Sequence, residues 1–473
     1  MSLWFCQRDG RTGKIKKRNL DILPSYTVAA GGIGDAFAGG YWIEDNTLSL
    51  SLSEKMKSET KSPYKVPSMA EIAAIPKNKY SVISTFSGVG GSCLGYRMAR
   101  FKILWANEIE PNAVECYRLN FPGTILDMRS IRSITFGEIL RAIKKRPGQI
   151  DLLDGSPPCQ SFSTAGKRQK GWGRSEMHGD GTTGRSDDLF FEFARLLKGL
   201  QPKTFIAENV SGLVKGVAKG YFKEILAALK SCGYVVEARL LDAQWLGVPQ
   251  ARQRIIFVGV RDDLTEKFGV KPVFPKPLSY RYSITDAIAD LLEKSERPER
   301  PERPSPTITA HQCADTGFNP PPRIIHAHGG ALTKDVNHSS AHKPSATIRT
   351  TDQAQHAIVT PAFSPWMADE YERLKPGETS KLHFNMRRPS PARPSPTIAA
   401  SHGGKGIASV VHPSERRKFS IAELKRICSF PDDFRLVGSY AKQWARLGNS
   451  VPPLMAAAVA RAIKEGILDK IPR

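Results

Sequence analysis

The chain has 473 residues, 40% hydrophobic and 24% charged, enough for a sizeable core and, by length, about two to three domains. Lys and Arg number 69 against 46 Asp and Glu; this net charge of +23 favours a polyanionic partner, because each phosphate neutralised releases condensed counterions. Seven scattered cysteines with no Cys-x-x-Cys argue against a disulfide framework and a thiolate zinc site, and no apolar run approaches the roughly 18 residues of a membrane span. With a basic start that no signal-type apolar core follows, the chain reads as soluble and cytoplasmic.

Residues 1 to about 75 are Gly-rich around 29–40 and Lys-rich toward 65. They read as a flexible extension, with a small partner-binding module as the alternative, and carry no assigned function. From Lys79 the texture changes. Tyr80 to Phe86 reads as a buried strand, ending in the turn Ser87-Gly88-Val89-Gly90-Gly91, with a helix over 92–101. A second strand, Lys102 to Ala106, leads to Asn107-Glu108 and a helix opened by Pro111. Short apolar strands follow at 150–153 and 203–207, with a helix over 187–200 between them. Alternation of this kind through about residue 260 predicts an α/β fold with a parallel, doubly wound sheet, in which ligands sit beyond the carboxyl ends of the strands.

From 263 to 404 the pattern breaks and proline becomes frequent. One phrase recurs: Pro304-Ser305-Pro306-Thr307-Ile308, Pro344-Ser345-Ala346-Thr347-Ile348 and Pro394-Ser395-Pro396-Thr397-Ile398. A duplicated strand-and-loop unit and a chance recurrence of proline-initiated strands stand as equal readings. Beyond 415 order returns, with a helix over 421–428, a turn at 430–434 and an alanine-rich closing helix over 453–467.

The residues that carry chemistry cluster at the predicted strand ends. Glycines at 88, 90 and 91, between a strand and a helix, let a ligand approach backbone N–H groups. Glu108 suits a ribose-hydroxyl acceptor. Asp154-Gly155-Ser156-Pro157-Pro158-Cys159-Gln160-Ser161-Phe162-Ser163 stiffens the backbone around one cysteine, which suits a positioned thiolate nucleophile. A zinc deaminase would need a second cysteine where Phe162 stands. The glycine-rich segment 163–185, with Lys167, Arg168, Lys170 and Arg174, reads as a lid closing on phosphates. Glu208, in Ala207-Glu208-Asn209-Val210, can donate a proton or hydrogen bond to a base. Arg252 and Arg254 alternate ahead of the strand 255–258, placed to hold a carbonyl oxygen and nearby phosphates.

In this order the motifs resemble those of the DNA (cytosine-5) methyltransferases of bacterial and phage type, over residues 80–261 and about 380–467. Phe86-Ser87-Gly88-Val89-Gly90-Gly91 is similar to the family's methyl-donor loop, Glu108 to its ribose-binding acid, and Asp127 to the acid that contacts the adenine amino group. Pro158-Cys159-Gln160 resembles the nucleophile motif, Glu208-Asn209-Val210 the motif that meets cytosine N3, and Gln250-x-Arg252-x-Arg254 the catalytic arginine motif. Gly448-Asn449-Ser450-Val451 resembles the segment that folds back to complete the donor pocket.

The resemblance implies a class I, Rossmann-like catalytic domain over 76–262 and 440–473, and a smaller, irregular β-rich target-recognition domain over 263–439. It implies S-adenosylmethionine as methyl donor, bound also by Pro158, Leu189, Asn449 and Ser450, and no metal. Catalysis falls to Cys159, Glu208, Arg252 and Arg254, on a cytosine flipped out of double-stranded DNA. Gln160, Ser163, Lys167, Arg168, Lys170 and Arg174 are expected to contact that DNA. A monomer acting in the bacterial or phage-infected cytoplasm, with a restriction endonuclease as genetic partner, completes the expectation. Cys428 stands where many members carry glutamine, a departure that concerns packing. An RNA (tRNA) cytosine-5 methyltransferase is the second reading and a catalytically silent DNA-binding relative the third; the long 263–404 region, suited to the major groove, weighs against RNA.

Overall fold

A computed structural model describes residues 60–76, 80–158, 189–214, 218–293, 360–361, 363–383, 385–404 and 406–472, and the backbone of two short strand pairs. Those pairs are β1 (Trp4–Arg8) with β2 (Ile15–Asn19) and β7 (Glu176–Met177) with β8 (Thr183–Gly184), both antiparallel. Met1–Ala289 with Thr360–Arg473 forms one compact unit and Asp290–Val359 a second.

A seven-stranded sheet in the order β10-β12-β9-β6-β3-β4-β5 organises the first unit. Its strands are β3 (Ser81–Thr85), β4 (Lys102–Asn107), β5 (Ile125–Asp127), β6 (Leu152–Gly155), β9 (Thr204–Val210), β10 (Tyr234–Asp242) and β12 (Gln253–Arg261). β3, β4, β5, β6 and β9 run parallel; β12 runs antiparallel to both β9 and β10. β3, β6 and the first four residues of β9 are buried throughout, as runs of Val, Ile, Leu and Phe covered on both faces must be. The chain winds outward through β3, β4 and β5, then returns to the far side of β3 with β6. The switch point therefore lies between β3 and β6, where ligands of open α/β sheets bind.

Helices cover the sheet: α2 (Gly91–Met98), α3 (Pro111–Asn120), α4 (Phe136–Ile143), α5 (Leu189–Leu200) and α6 (Ala218–Lys230). α4 starts at a capping box in which Thr135 and Glu138 satisfy each other's backbone N–H groups. α5 buries Phe190, Phe193, Leu196, Leu197 and Leu200 in one core with Phe205 and Phe257. The closing helix α12 (Pro453–Gly466) packs on α2 so tightly that a side chain at Gly95 would meet the Pro453 carbonyl at 2.5 Å.

Residues 60–76, read from sequence as part of a flexible extension, are instead docked. Tyr64 donates to the Arg426 carbonyl at 2.6 Å, its ring lies edge-on to Tyr282, and Lys61 pairs with Asp286. The short helix α1 (Met69–Ala74) follows a Ser68/Glu71 capping box and buries Ile72. The described parts of 263–439 hold α7 (Asp262–Phe268), α8 (Ile284–Glu293), α9 (Pro365–Arg373), α10 (Ile421–Ile427) and strands of two residues. Among the described residues no helix is long and apolar enough to cross a membrane.

Candidate active site at the sheet switch point

The turn after β3 is shaped by its glycines. Gly88 and Gly90 take φ of +57° and +94°, which side chains rarely adopt, and a Cβ at Gly90 would overlap the Phe121 ring. At Gly88 such a Cβ meets nothing within 4 Å, so the turn faces open space. Phe86 also has positive φ and is half-buried, and Ser87 is buried with its hydroxyl on the Ser84 carbonyl.

Glu108, just beyond β4, closes this turn from the side. Its Oε2 accepts from Gly88 N at 2.7 Å and its Oε1 from the Ile109 and Glu110 N–H groups. Burial pushes its carboxyl above the usual range, and the three backbone donors oppose that. Beside it a cavity of about 490 Å³ is lined by Trp105, Asp127, Met128 and Glu138. Burial raises the Asp127 carboxyl, but the Arg129 guanidinium and N–H outweigh it and hold it below its ordinary value. Ile109 and Met128, the residues that follow the two acids, are 43% and 47% exposed. Exposed apolar side chains beside two carboxylates can flank an aromatic base; sequence reading missed both, and their only signal is position.

The segment after α11 (Tyr440–Asn449) lies against the same turn. A Cβ at Gly91 would stand 2.3 Å from the Val451 carbonyl and 3.2 Å from Ser450 Cβ. Ser450 donates to the Arg446 carbonyl at 2.7 Å and Asn449 is exposed. Leu189 opens α5 half-buried against the core.

Across the switch point, Pro157 is buried and Pro158 exposed, and Asn209 Nδ2 donates to the Pro157 carbonyl at 3.3 Å. Cys159, Gln160, Ser163, Lys167, Arg168, Lys170 and Arg174 lie outside the described residues. Glu208 meets Arg254 from the neighbouring β12, with Nε to Oε1 at 2.8 Å and both side chains under 15% exposed. Arg252 takes a different place. It is 2% exposed, donates Nη1 to the Gly448 carbonyl at 2.9 Å and leaves Nε without a hydrogen-bond partner. Burial, with Arg254 close by, lowers its guanidinium to about 9.

The third copy of the recurring phrase clamps this arginine motif. β15 (Ser395–Pro396) pairs with β11 (Gln250–Ala251), and Thr397 Oγ1 donates to the Ala251 carbonyl at 2.6 Å. Gln250 Nε2 reaches the buried Cys428 sulfur at 3.3 Å. The first two copies lie outside the described residues.

A turn that can take a nucleoside, a proline-stiffened strand end and a carboxylate paired with an arginine thus lie at the carboxyl ends of the neighbouring strands β3, β6 and β9. Residues 80–465 match the family model for C-5 cytosine-specific DNA methylases. The chain belongs to that family. This DNA methylase is 26% identical over 440 residues to the Type II methyltransferase M.AgeI of Thalassovita gelatinovora, covering 81% of this chain and 99% of the relative. It is 30% identical over 398 residues to the Type II methyltransferase M.PspPI of Psychrobacter sp. (strain TA137), covering 83% and 81%. An E. coli prophage-encoded protein, described as a DNA modification methyltransferase, shares the fold at TM-score 0.54 and 23% identity, over 83% of this chain and all of its own.

The methyl donor of the methylase is S-adenosylmethionine. The residues present fit it: the open space at Gly88, the half-buried Glu108 carboxylate and the cavity beside Asp127 offer backbone donors, a hydroxyl acceptor and room for a base. Among the described residues no group of three or more His, Cys, Asp or Glu side chains is placed to hold a metal ion.

Proposed function

We propose that the methylase modifies C5 of a cytosine flipped out of one specific duplex sequence, through a covalent bond between Cys159 and C6. The Glu208–Arg254 pair, at 2.8 Å on adjacent strands beside the Pro157-Pro158 turn, carries this reading. Attack of the Cys159 thiolate on C6 breaks the aromaticity of the ring. Glu208, in its protonated form, donates to N3 and Arg254 donates to O2, which stabilises the negative charge that develops, and Arg252 supports the site through Gly448. S-adenosylmethionine, when bound, would supply the electrophilic methyl group to C5 and leave as S-adenosylhomocysteine; a base then takes the C5 proton, and the electrons of that C–H bond restore the C5–C6 double bond as the thiolate leaves. Phe86, Ser87, Gly88, Gly90, Gly91, Glu108, Asp127, Pro158, Leu189, Asn449 and Ser450 hold the donor.

Extrusion of the base costs a few kcal/mol. Gln160, Ser163, Lys167, Arg168, Lys170 and Arg174 offset it through phosphate contacts, and residues 263–439 read the target sequence. The likeness to Type II methyltransferases supports a role in restriction-modification; a monomer acting in the cytoplasm with a cognate endonuclease as genetic partner belongs to the same proposal. The same likeness supports DNA over RNA as substrate. Bisulfite sequencing of plasmid DNA propagated with the wild type and with Cys159→Ser tests the reading. Methylated cytosines in one defined context, lost in the variant, are expected. No methylation from a folded, donor-binding wild type would overturn it.

A further inference from the structure

No step above uses the Asp154 carboxylate, which is 2% exposed at the end of β6. Its Oδ2 accepts from Ser84 Oγ at 2.8 Å and Ser92 Oγ at 2.9 Å, and its Oδ1 from Tyr96 Oη at 2.6 Å. The Ser87 hydroxyl is shared between the Ser84 carbonyl and Ser84 Oγ, 3.1 Å from each, so the carboxylate reaches the donor-binding turn through Ser84. Ser84 is the penultimate residue of β3, and Ser92 and Tyr96 sit on α2. One buried group therefore joins the strand, the turn and the helix of the donor site to β6, which leads into Pro157-Pro158. A buried charge is tolerated only when its acceptor sites are filled, and an apolar side chain would occupy the same core position without that cost.

On its other side Asp154 faces Glu208 across a small cavity closed by Ile206, Ile256, Val451 and Met455. Tyr96 and Cys93 on α2 and Glu208 on β9 are the titratable groups that face it, with Tyr117 of α3 further off; α12 presents only Met455, Ala456 and Val459. Burial, with Glu208 adding to it, pushes the Asp154 carboxyl up to about 6.

We propose that Asp154 is a positioning residue for methyl transfer: by holding Ser84, Ser92 and Tyr96 it locks the donor-binding turn to the strand that leads to the nucleophile motif. The proposal rests on the donor-site reading of residues 86–91. An ionised carboxylate can accept from three hydroxyls at once, whereas an amide must have donors of its own met and loses one acceptor. Charge at this position therefore matters, and it is removable by pH as well as by mutation.

Calorimetric Kd values for S-adenosylhomocysteine test this in the wild type, Asp154→Asn and Tyr96→Phe, at about pH 8 and about pH 5 on either side of the titration. At the higher pH, Asp154→Asn is expected to bind about tenfold more weakly and Tyr96→Phe about threefold, as for lost hydrogen bonds to a charged group. At the lower pH each gap should shrink to about twofold or less, because the wild-type carboxyl is then itself neutral. Glu108 titrates alike in all three proteins and cancels from the ratio. A gap of equal size at both pH values marks a merely structural role and overturns the proposal; so does no gap at either. If Asp154→Asn fails to fold, the same two outcomes for Tyr96→Phe decide. A wild type that does not bind S-adenosylhomocysteine overturns the donor-site reading and this proposal with it, whereas equal binding by Asp154→Asn overturns the proposal alone.

Discussion

Gly91 offers the sharpest test of how the donor turn and the chain's C-terminal segment fit together. A Cβ there would lie 2.3 Å from the Val451 carbonyl oxygen, and also 3.2 Å from Ser450 Cβ and from Phe430 Cζ. An ordinary non-bonded contact needs about 3.5 Å, so one side must move by about 1 Å. The neighbour is backbone, so no rotamer change relieves the overlap. Overpacking of this kind costs about 1–3 kcal/mol, against at most about 1 kcal/mol that Ala gains over Gly in a helix. The net loss for Gly91→Ala is then about 1–2 kcal/mol, a Tm lower by roughly 1–2 °C in a protein of this size. The effect on the donor should be larger, since a displacement of about 1 Å near a site can cost up to about 100-fold. The Kd for S-adenosylhomocysteine is expected to rise at least about tenfold, measured by calorimetry alongside thermal melts. Gly137→Ala is the control: it sits in α4, and its Cβ would meet nothing within 4 Å. Its Tm should hold or rise by up to about 1 °C. Wild-type affinity and Tm in Gly91→Ala would show that the 449–451 segment does not bear on the donor turn.

Three further outcomes are expected. Glu208→Gln should lower the single-turnover methylation rate by about 10²–10⁴-fold while leaving the Kd for S-adenosylhomocysteine within about twofold; an unchanged rate would remove Glu208 from the chemistry. Tyr64→Ala deletes the ring against Tyr282 and the 2.6 Å bond to Arg426, and should cost about 2–3 kcal/mol in a denaturant titration; an unshifted midpoint would mean that the docked segment is ornamental. Lys418, 1% exposed with Nζ on the His402 and Gly404 carbonyls, is lowered by burial to about 8. Between that value and its unfolded 10.5 the unfolded chain binds the extra proton, so the Lys418 contribution to stability rises with pH across this window. Melts of the wild type and Lys418→Met should diverge there, and parallel curves would refute the assignment.

What could be read from sequence was local. The strand 81–85, the glycine turn and Glu108 at the next strand end are visible because a buried parallel strand is an apolar run and its ligand turn needs glycine. Pro111 and the Ala-rich run likewise mark α3 and α12 where they begin. The docked segment 60–76 was not visible. It is polar, and its anchors at Tyr282 and Arg426 lie 220 and 362 residues away along the chain. The third Pro-Ser-Pro-Thr-Ile phrase could be seen to recur, but its partner, the Gln250–Ala251 edge, could not be inferred from it.

Asp154 and Glu208 show most clearly where the boundary falls. Both are carboxylates near the ends of neighbouring parallel strands; the Glu208-Asn209-Val210 motif marks one, and nothing in the sequence gives the other a role of its own. The environment separates them. Arg254 pairs with Glu208 at a half-buried rim, where a base can displace or share the contact. Asp154 lies deeper, with three hydroxyls brought from 70, 62 and 58 residues earlier in the chain. An acid with an exchangeable partner can do chemistry, and one whose acceptor sites are all filled can only hold position. That division depends on the winding of the sheet around β3, which places Ser84 and Asp154 side by side at the switch point. Motifs therefore point to the groups proposed to react in this methylase, while the group proposed to hold them in register becomes visible only in the fold.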